Sequence, residues 1–111
     1  MAGKLTTHAL DTAAGRPAAG MAVRLTRAGA VLAETQLDAQ GRAVLVENGL
    51  VPGAYELVFA VADYHRGQGV ALTDPPFLDA VTIAFGVSDA DAHYHVPLLV
   101  SPYGYSTYRG S

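Results

Sequence analysis

The 111-residue chain contains no cysteine, which excludes a disulfide framework, a thiol nucleophile and any cysteine-held zinc or iron–sulfur centre, and leaves the redox compartment open. Charge is scarce as well. Asp, Glu, Lys and Arg make up 15% of the residues, against about a quarter in an average globular domain. The seven Lys and Arg are scattered singly and the net charge is −3, so the chain lacks the basic patch that nucleic acid or an anionic membrane requires. No stretch approaches the roughly 20 apolar residues that span a bilayer, and the opening "MAGKLTTHAL" has no apolar run of signal-peptide length. The expectation is a soluble, cytoplasmic protein with neither a nucleic-acid nor a membrane partner. Helical periodicity is weak everywhere; the best candidate is a turn or two around "YHRGQGVAL", weakened by two glycines.

What is present is apolar: 50% of the residues are hydrophobic. The length suits a single domain, residues 1–111, able to bury a core unaided. So little charge on so small a domain predicts that part of its surface meets another copy of the chain. Gly, Pro and Asp recur at short intervals and divide the sequence into about eight strand-like runs near 4–10, 21–27, 30–37, 42–46, 54–62, 79–87, 92–100 and 103–109. Alternation is clearest in "AYELVFAVA", which puts Tyr55, Leu57, Phe59 and Val61 on one face, and in "VTIAFGV", which does the same with Val81, Ile83, Phe85 and Val87. The reverse of the latter carries Thr82, Ala84 and Gly86, small enough for another surface to approach. The class is all-β, a two-sheet sandwich.

In "HYHVPLLV", period two aims Tyr94, Val96, Leu98 and Val100 at the core and turns His93, His95, Pro97 and Leu99 outward. Pro97 cannot donate to a ladder, so the strand is at an edge or distorted there. The histidines then face solvent or a groove made with a neighbouring subunit. Two imidazoles at i and i+2 could hold a divalent metal, but a third protein ligand is not assured; acid–base or substrate-binding roles fit imidazole equally. His8, in "KLTTHALD", shares a face with Lys4, Thr6 and Leu10 and reads as a strand residue or a catalytic one. Arg42 follows the turn "DAQG" as a strand-end charge or an anion clamp. Ser, His and Asp are all present, but no GxSxG elbow supports a nucleophilic triad. The terminal "STYRGS" is either a last strand with a loose end or a segment held at a surface by Tyr105 and Tyr108.

"LTTHALDTAAGRPAAGM", "GR" at 41–42, "PGAYELVF" and "HYHVPLLVSPYGYSTYRGS" together resemble the 5-hydroxyisourate hydrolases, the transthyretin-related proteins of purine breakdown. The likeness covers nearly the whole chain, and its most specific part is the final "YRGS", absent from the hormone-carrying transthyretins. It implies an eight-stranded transthyretin-like (prealbumin-like) sandwich with at most one short helix. It also implies a homotetramer with active sites in a channel between dimers, and hydrolytic opening of the 5-hydroxyisourate ring without a cofactor or metal. By motif, His8, Arg42 and His95 match the family's catalytic positions, and Tyr108, Arg109, Gly110 and Ser111 match substrate-binding ones; His93 neighbours the motif without belonging to it. The least typical stretch is 65–77, where family members often carry an aromatic in place of His65. The rival expectation is a transthyretin-like carrier without catalysis.

Overall fold

The computed structural model describes residues 2–110, so Ser111 of the expected site lies outside the described residues. The chain runs through β1 (Lys4–Asp11), β2 (Arg16–Pro17), β3 (Ala22–Arg27), β4 (Ala30–Gln36), β5 (Arg42–Val46) and β6 (Gly53–Phe59). It then forms helix α1 (Val61–Gly67), β7 (Val81–Val87), β8 (His93–Ser101) and β9 (Gly104–Thr107). The eight expected strands all form, and the two-residue β2 adds to them inside "AAGRPAAG", where Arg16 and Pro17 pair with Asp11 and Leu10.

One sheet has the order β2-β1-β8-β9, with β5 sharing an edge of β1; the other is β4-β3-β6-β7. Between them lies the core, with Leu5, Ala9, Leu98 and Val100 from the first sheet against Val23, Leu25, Leu57 and Phe59 from the second. Strict period-two alternation fills it, as β1 shows by burying Leu5, Thr7, Ala9 and Asp11 while their neighbours stay partly exposed. The buried Thr7 hydroxyl donates to the carbonyl of Val96 at 2.7 Å, so this polar group on the core face is satisfied and ties β1 to β8.

One sequence expectation needs correction, and one open alternative is decided. The strand expected over 54–62 stops at Phe59, because Val61 belongs to α1, whose buried residues Val61, Ala62, Tyr64 and His65 follow helical spacing. Val61 satisfies both periods, and the helix wins because Tyr64 reaches the first sheet, its hydroxyl donating to Asp11 Oδ2 at 2.8 Å. Burial, then the hydrogen bond to Asp11, raises the phenol pKa above its ordinary value. Of the two alternatives at Pro97, an edge or a distortion, the structure shows the distortion: β8 runs between β1 and β9. The proline instead interrupts the ladder. Pairing from Ser101↔Gly104 to Leu98↔Thr107 lapses at Pro97 and resumes, in the same register, at His95↔Gly110. Among the described residues no helix is long and apolar enough to cross a membrane.

Candidate functional site

The outer face of the first sheet gathers the chemistry. On β1, Lys4, Thr6 and His8 point away from the core; parallel β8 sets His93 beside Lys4, His95 beside Thr6 and Pro97 beside His8. Antiparallel β5, on the other edge, sets Val44 beside Thr6 and Arg42 beside His8. Cross-strand partners share a face, so His8, Arg42 and His95 converge from three strands onto one patch. A cavity of about 410 Å³ opens there, lined by Thr6, Thr7, Asp38, Arg42, Ala43, Val44, His93 and His95. A larger concavity of about 570 Å³ lies on the other sheet around Thr26, Tyr55 and Phe85; among the described residues its lining includes the carboxylate of Glu56 and neither a histidine nor an arginine.

Thr6 occupies the centre of the patch. Its Oγ1 lies 2.7 Å from Nε2 of His93 and 2.8 Å from Nδ1 of His95, and the two rings stand 6.3 Å apart at 66°. A hydroxyl therefore occupies the position between the two histidines. Among the described residues no group of three or more His, Cys, Asp or Glu is arranged to hold a metal ion. With Nδ1 engaged, Nε2 is the nitrogen through which the His95 ring can meet a water or a ligand. Partial burial holds the His95 pKa below the usual imidazole range, and the positive charges of His8, His93 and Arg42 add to the effect.

Arg42 is delivered by a closed turn. The Asp38 carboxylate accepts the backbone N–H groups of Gln40 at 2.9 Å and Arg42 at 3.0 Å, and Asp38 N–H donates to the Arg42 carbonyl at 2.9 Å. Gly41 has φ +75°, and a Cβ there would lie 2.6 Å from the carbonyl oxygen of Ala9. Only glycine combines that left-handed backbone with so close an approach. The turn therefore lies flat on β1, with Ala9 N–H donating to Gly41 O at 2.9 Å, and the next residue is Arg42, opposite His8.

The tail divides between the two faces. Tyr108 follows β9 and lines, with Thr107 and Arg109, a hollow against Tyr94 and Phe85, and Gly110 bridges His95, its N–H donating to the His95 carbonyl at 2.8 Å. Arg109 points the other way, its guanidinium carbon 4.2 Å above the centre of the Tyr94 ring. Tyr94 is itself fixed, since its hydroxyl oxygen accepts the N–H groups of Ser88 and Asp89, each at 3.0 Å. The Ser88 hydroxyl beside it, and then the Asp89 and Ser88 N–H groups, lower its phenol pKa from the ordinary value. The structure thus brings His8, Arg42, His95 and Gly110 to one face, leaves Arg109 on the other, and sets Tyr108 beside the hollow that Arg109 and Tyr94 line.

Sequence reasoning missed Thr6, Asp38 and Gly41 as parts of this patch. Thr6 was the most accessible of the three, two residues before His8 and so on its face; the Asp38 and Gly41 roles need the turn geometry.

A model of the HIUase/Transthyretin family matches residues 5–110. The chain is 56% identical to a 5-hydroxyisourate hydrolase of Caulobacter vibrioides, over 96% of this chain and 97% of that protein. Among solved structures it resembles the 5-hydroxyisourate hydrolase of Klebsiella pneumoniae with TM-score 0.87 and 35% identity, over 98% of this chain and 99% of that one. Sea bream transthyretin, solved in complex with thyroxine, superposes with TM-score 0.82 and 27% identity over 96% and 93% of the two chains. With a family model matched over nearly its whole length and relatives more than half identical, the chain belongs to the HIUase/Transthyretin family.

Proposed function

We propose that this chain is a cofactor-independent cyclic amide hydrolase that opens the ring of 5-hydroxyisourate to 2-oxo-4-hydroxy-4-carboxy-5-ureidoimidazoline, a step of urate degradation. The carrying observation is the convergence of His8, Arg42 and His95 on one face beside a cavity, in a chain whose similar proteins bear the name 5-hydroxyisourate hydrolase. Hydrolysis of a small, planar, polar ureide needs an activated water, a positive or hydrogen-bonding partner for the oxyanion, and a group to protonate the leaving nitrogen. His95, kept neutral by its lowered pKa, takes the proton of water through Nε2. The Arg42 guanidinium holds the negative charge that develops at the attacked carbonyl oxygen, and His8 delivers a proton to the departing ring nitrogen. Tyr108 and Gly110 border the substrate; Arg109 serves by anchoring the tail on Tyr94, and Ser111 completes the motif.

A homotetramer belongs to the same proposal, with the histidine face turned into a channel between dimers. Support comes from exposed apolar surface beside the site, where Val44 is 48% exposed, and from the small exposed residues Thr82, Ala84 and Gly86 on β7. A cytoplasmic enzyme is the matching expectation. The test generates 5-hydroxyisourate in place with urate oxidase and follows its absorbance decay with and without the protein, while light scattering measures the assembly. Accelerated decay and a mass near four chains of 11.5 kDa are expected. Decay at the uncatalysed rate, with tight binding of an apolar ligand, would return the chain to the carrier reading.

A further inference from the structure

We propose that Thr6 is a positioning residue that sets the tautomer of His95 and joins it to His93 as a proton relay, so that His93, outside the matched motif, takes part in turnover. The catalytic meaning rests on the hydrolase reading above; the relay itself does not.

A threonine hydroxyl has one hydrogen to donate and two lone pairs to accept with. At 2.7 and 2.8 Å from two imidazole nitrogens, it bonds both rings well only when the facing nitrogens are not both bare acceptors. In the resting arrangement His95 Nδ1–H donates to Oγ1 and the Oγ1 hydrogen is donated to His93 Nε2. That leaves the His95 Nε2 lone pair directed away from Thr6, the arrangement a general base requires.

The proton count then closes. When Nε2 of His95 takes a proton from water, the ring becomes an imidazolium; its Nδ1 proton passes to Thr6 Oγ1 as the original Oγ1 hydrogen passes to His93 Nε2. His95 is again neutral and now carries Nε2–H, while the positive charge has moved to the exposed His93, where water solvates it. The reverse transfer resets the site. Exposure of His93 and part-burial of His95 give the relay its direction, because a cation is cheaper at the wetter position. The other charged groups facing the pair are Lys4 and His8 on β1 and Arg42 on β5, with Asp38 in the turn before it; Lys4 is drawn toward Glu47 at 3.7 Å.

The experiment uses the uniformly 15N-labelled full chain without substrate, and records imidazole nitrogen shifts from about pH 5 to about pH 8, the span in which imidazoles titrate. In the wild type His95 is expected as the Nδ1–H tautomer. In Thr6→Val it should revert to the Nε2–H form, and in Thr6→Ser it should keep the wild-type form. With 5-hydroxyisourate, Thr6→Val should lower kcat with KM little changed, on the order of the 10- to 100-fold that loss of a histidine's orienting partner costs in metal sites. Thr6→Ser should recover most of that loss, and His93→Ala should shift the low-pH limb of kcat. The same His95 tautomer in wild type and Thr6→Val overturns the relay even if hydrolysis is fast. The expected tautomer switch in a protein that does not hydrolyse 5-hydroxyisourate would leave the hydroxyl coupling standing and remove the hydrolase reading.

Discussion

Gly110 lies so close to His95 that a Cβ on it would fall 2.5 Å from the imidazole Cδ2. The contact is with the edge of the ring next to Nε2, so the tail forms one wall around the nitrogen assigned to the chemistry. Gly110→Ala must push the ring, the tail or both. Since Gly110 is joined to β8 by a single isolated bridge and is only partly buried, stability should change little while turnover falls by about 10²-fold, the scale on which misplacement by about 1 Å acts. Steady-state kinetics beside a thermal melt check it; loss of stability with turnover intact would show the contact to be structural alone.

His8→Ala, Arg42→Ala and His95→Ala should each lower kcat by roughly 10²-fold or more, as acid–base groups and oxyanion donors do, with circular dichroism unchanged. Arg109→Ala should behave differently. It frees the tail from Tyr94 and so should weaken activity less than the three, with a matching rise in proteolytic release of the C-terminal residues.

The acid limb of kcat/KM should fall below pH 6.5, the ordinary imidazole value, because burial and the charges of His8, His93 and Arg42 hold the His95 pKa down. The same shift enters stability. A lowered folded-state pKa means that protonation favours the unfolded chain, so this contribution is complete above pH 6.5 and is lost as pH falls through the folded value. Histidine NMR titration gives the pKa directly; a His95 midpoint above the ordinary value would contradict the electrostatics of the site.

Ala28 has φ +51° and Gly29 φ +81° in the two-residue turn between β3 and β4. Both central residues of such a hairpin need the left-handed region, where alanine is strained by about 1 kcal/mol or more and asparagine is accommodated better. Ala28→Asn is expected to stabilise the fold, read as a higher urea midpoint with unchanged m-value. A lower midpoint would show that the turn does not carry that strain.

His65 exposes 1% of its surface, and neither ring nitrogen has a hydrogen-bond partner among the described residues. Desolvating an unpaired polar group costs about 1–3 kcal/mol, so His65→Leu should raise stability and leave hydrolysis alone. A destabilised variant would point to a hidden partner for the imidazole.

Much of this protein was legible along the chain. Alternating "HYHVPLLV" determined which residues of β8 face the core and which face outward, because successive side chains of a strand point to opposite sides. The same periodicity marked Tyr55, Leu57 and Phe59 as core. The missing cysteines and scattered cations had already excluded whole classes of chemistry, and the "YRGS" end pointed to the family. What the sequence could not decide was who meets whom. Period two is local, whereas the placing of Thr6 between His93 and His95 depends on β1 pairing in parallel with β8, a contact across most of the chain's length. Arg42 stands opposite His8 only because the Gly41 turn lies flat on β1. The separation of Arg109 from Gly110 onto opposite faces follows from a register that survives the interruption at Pro97. Side-chain direction is a property of one strand; a site is a property of several, and only the tertiary register brings their outward residues within hydrogen-bonding distance.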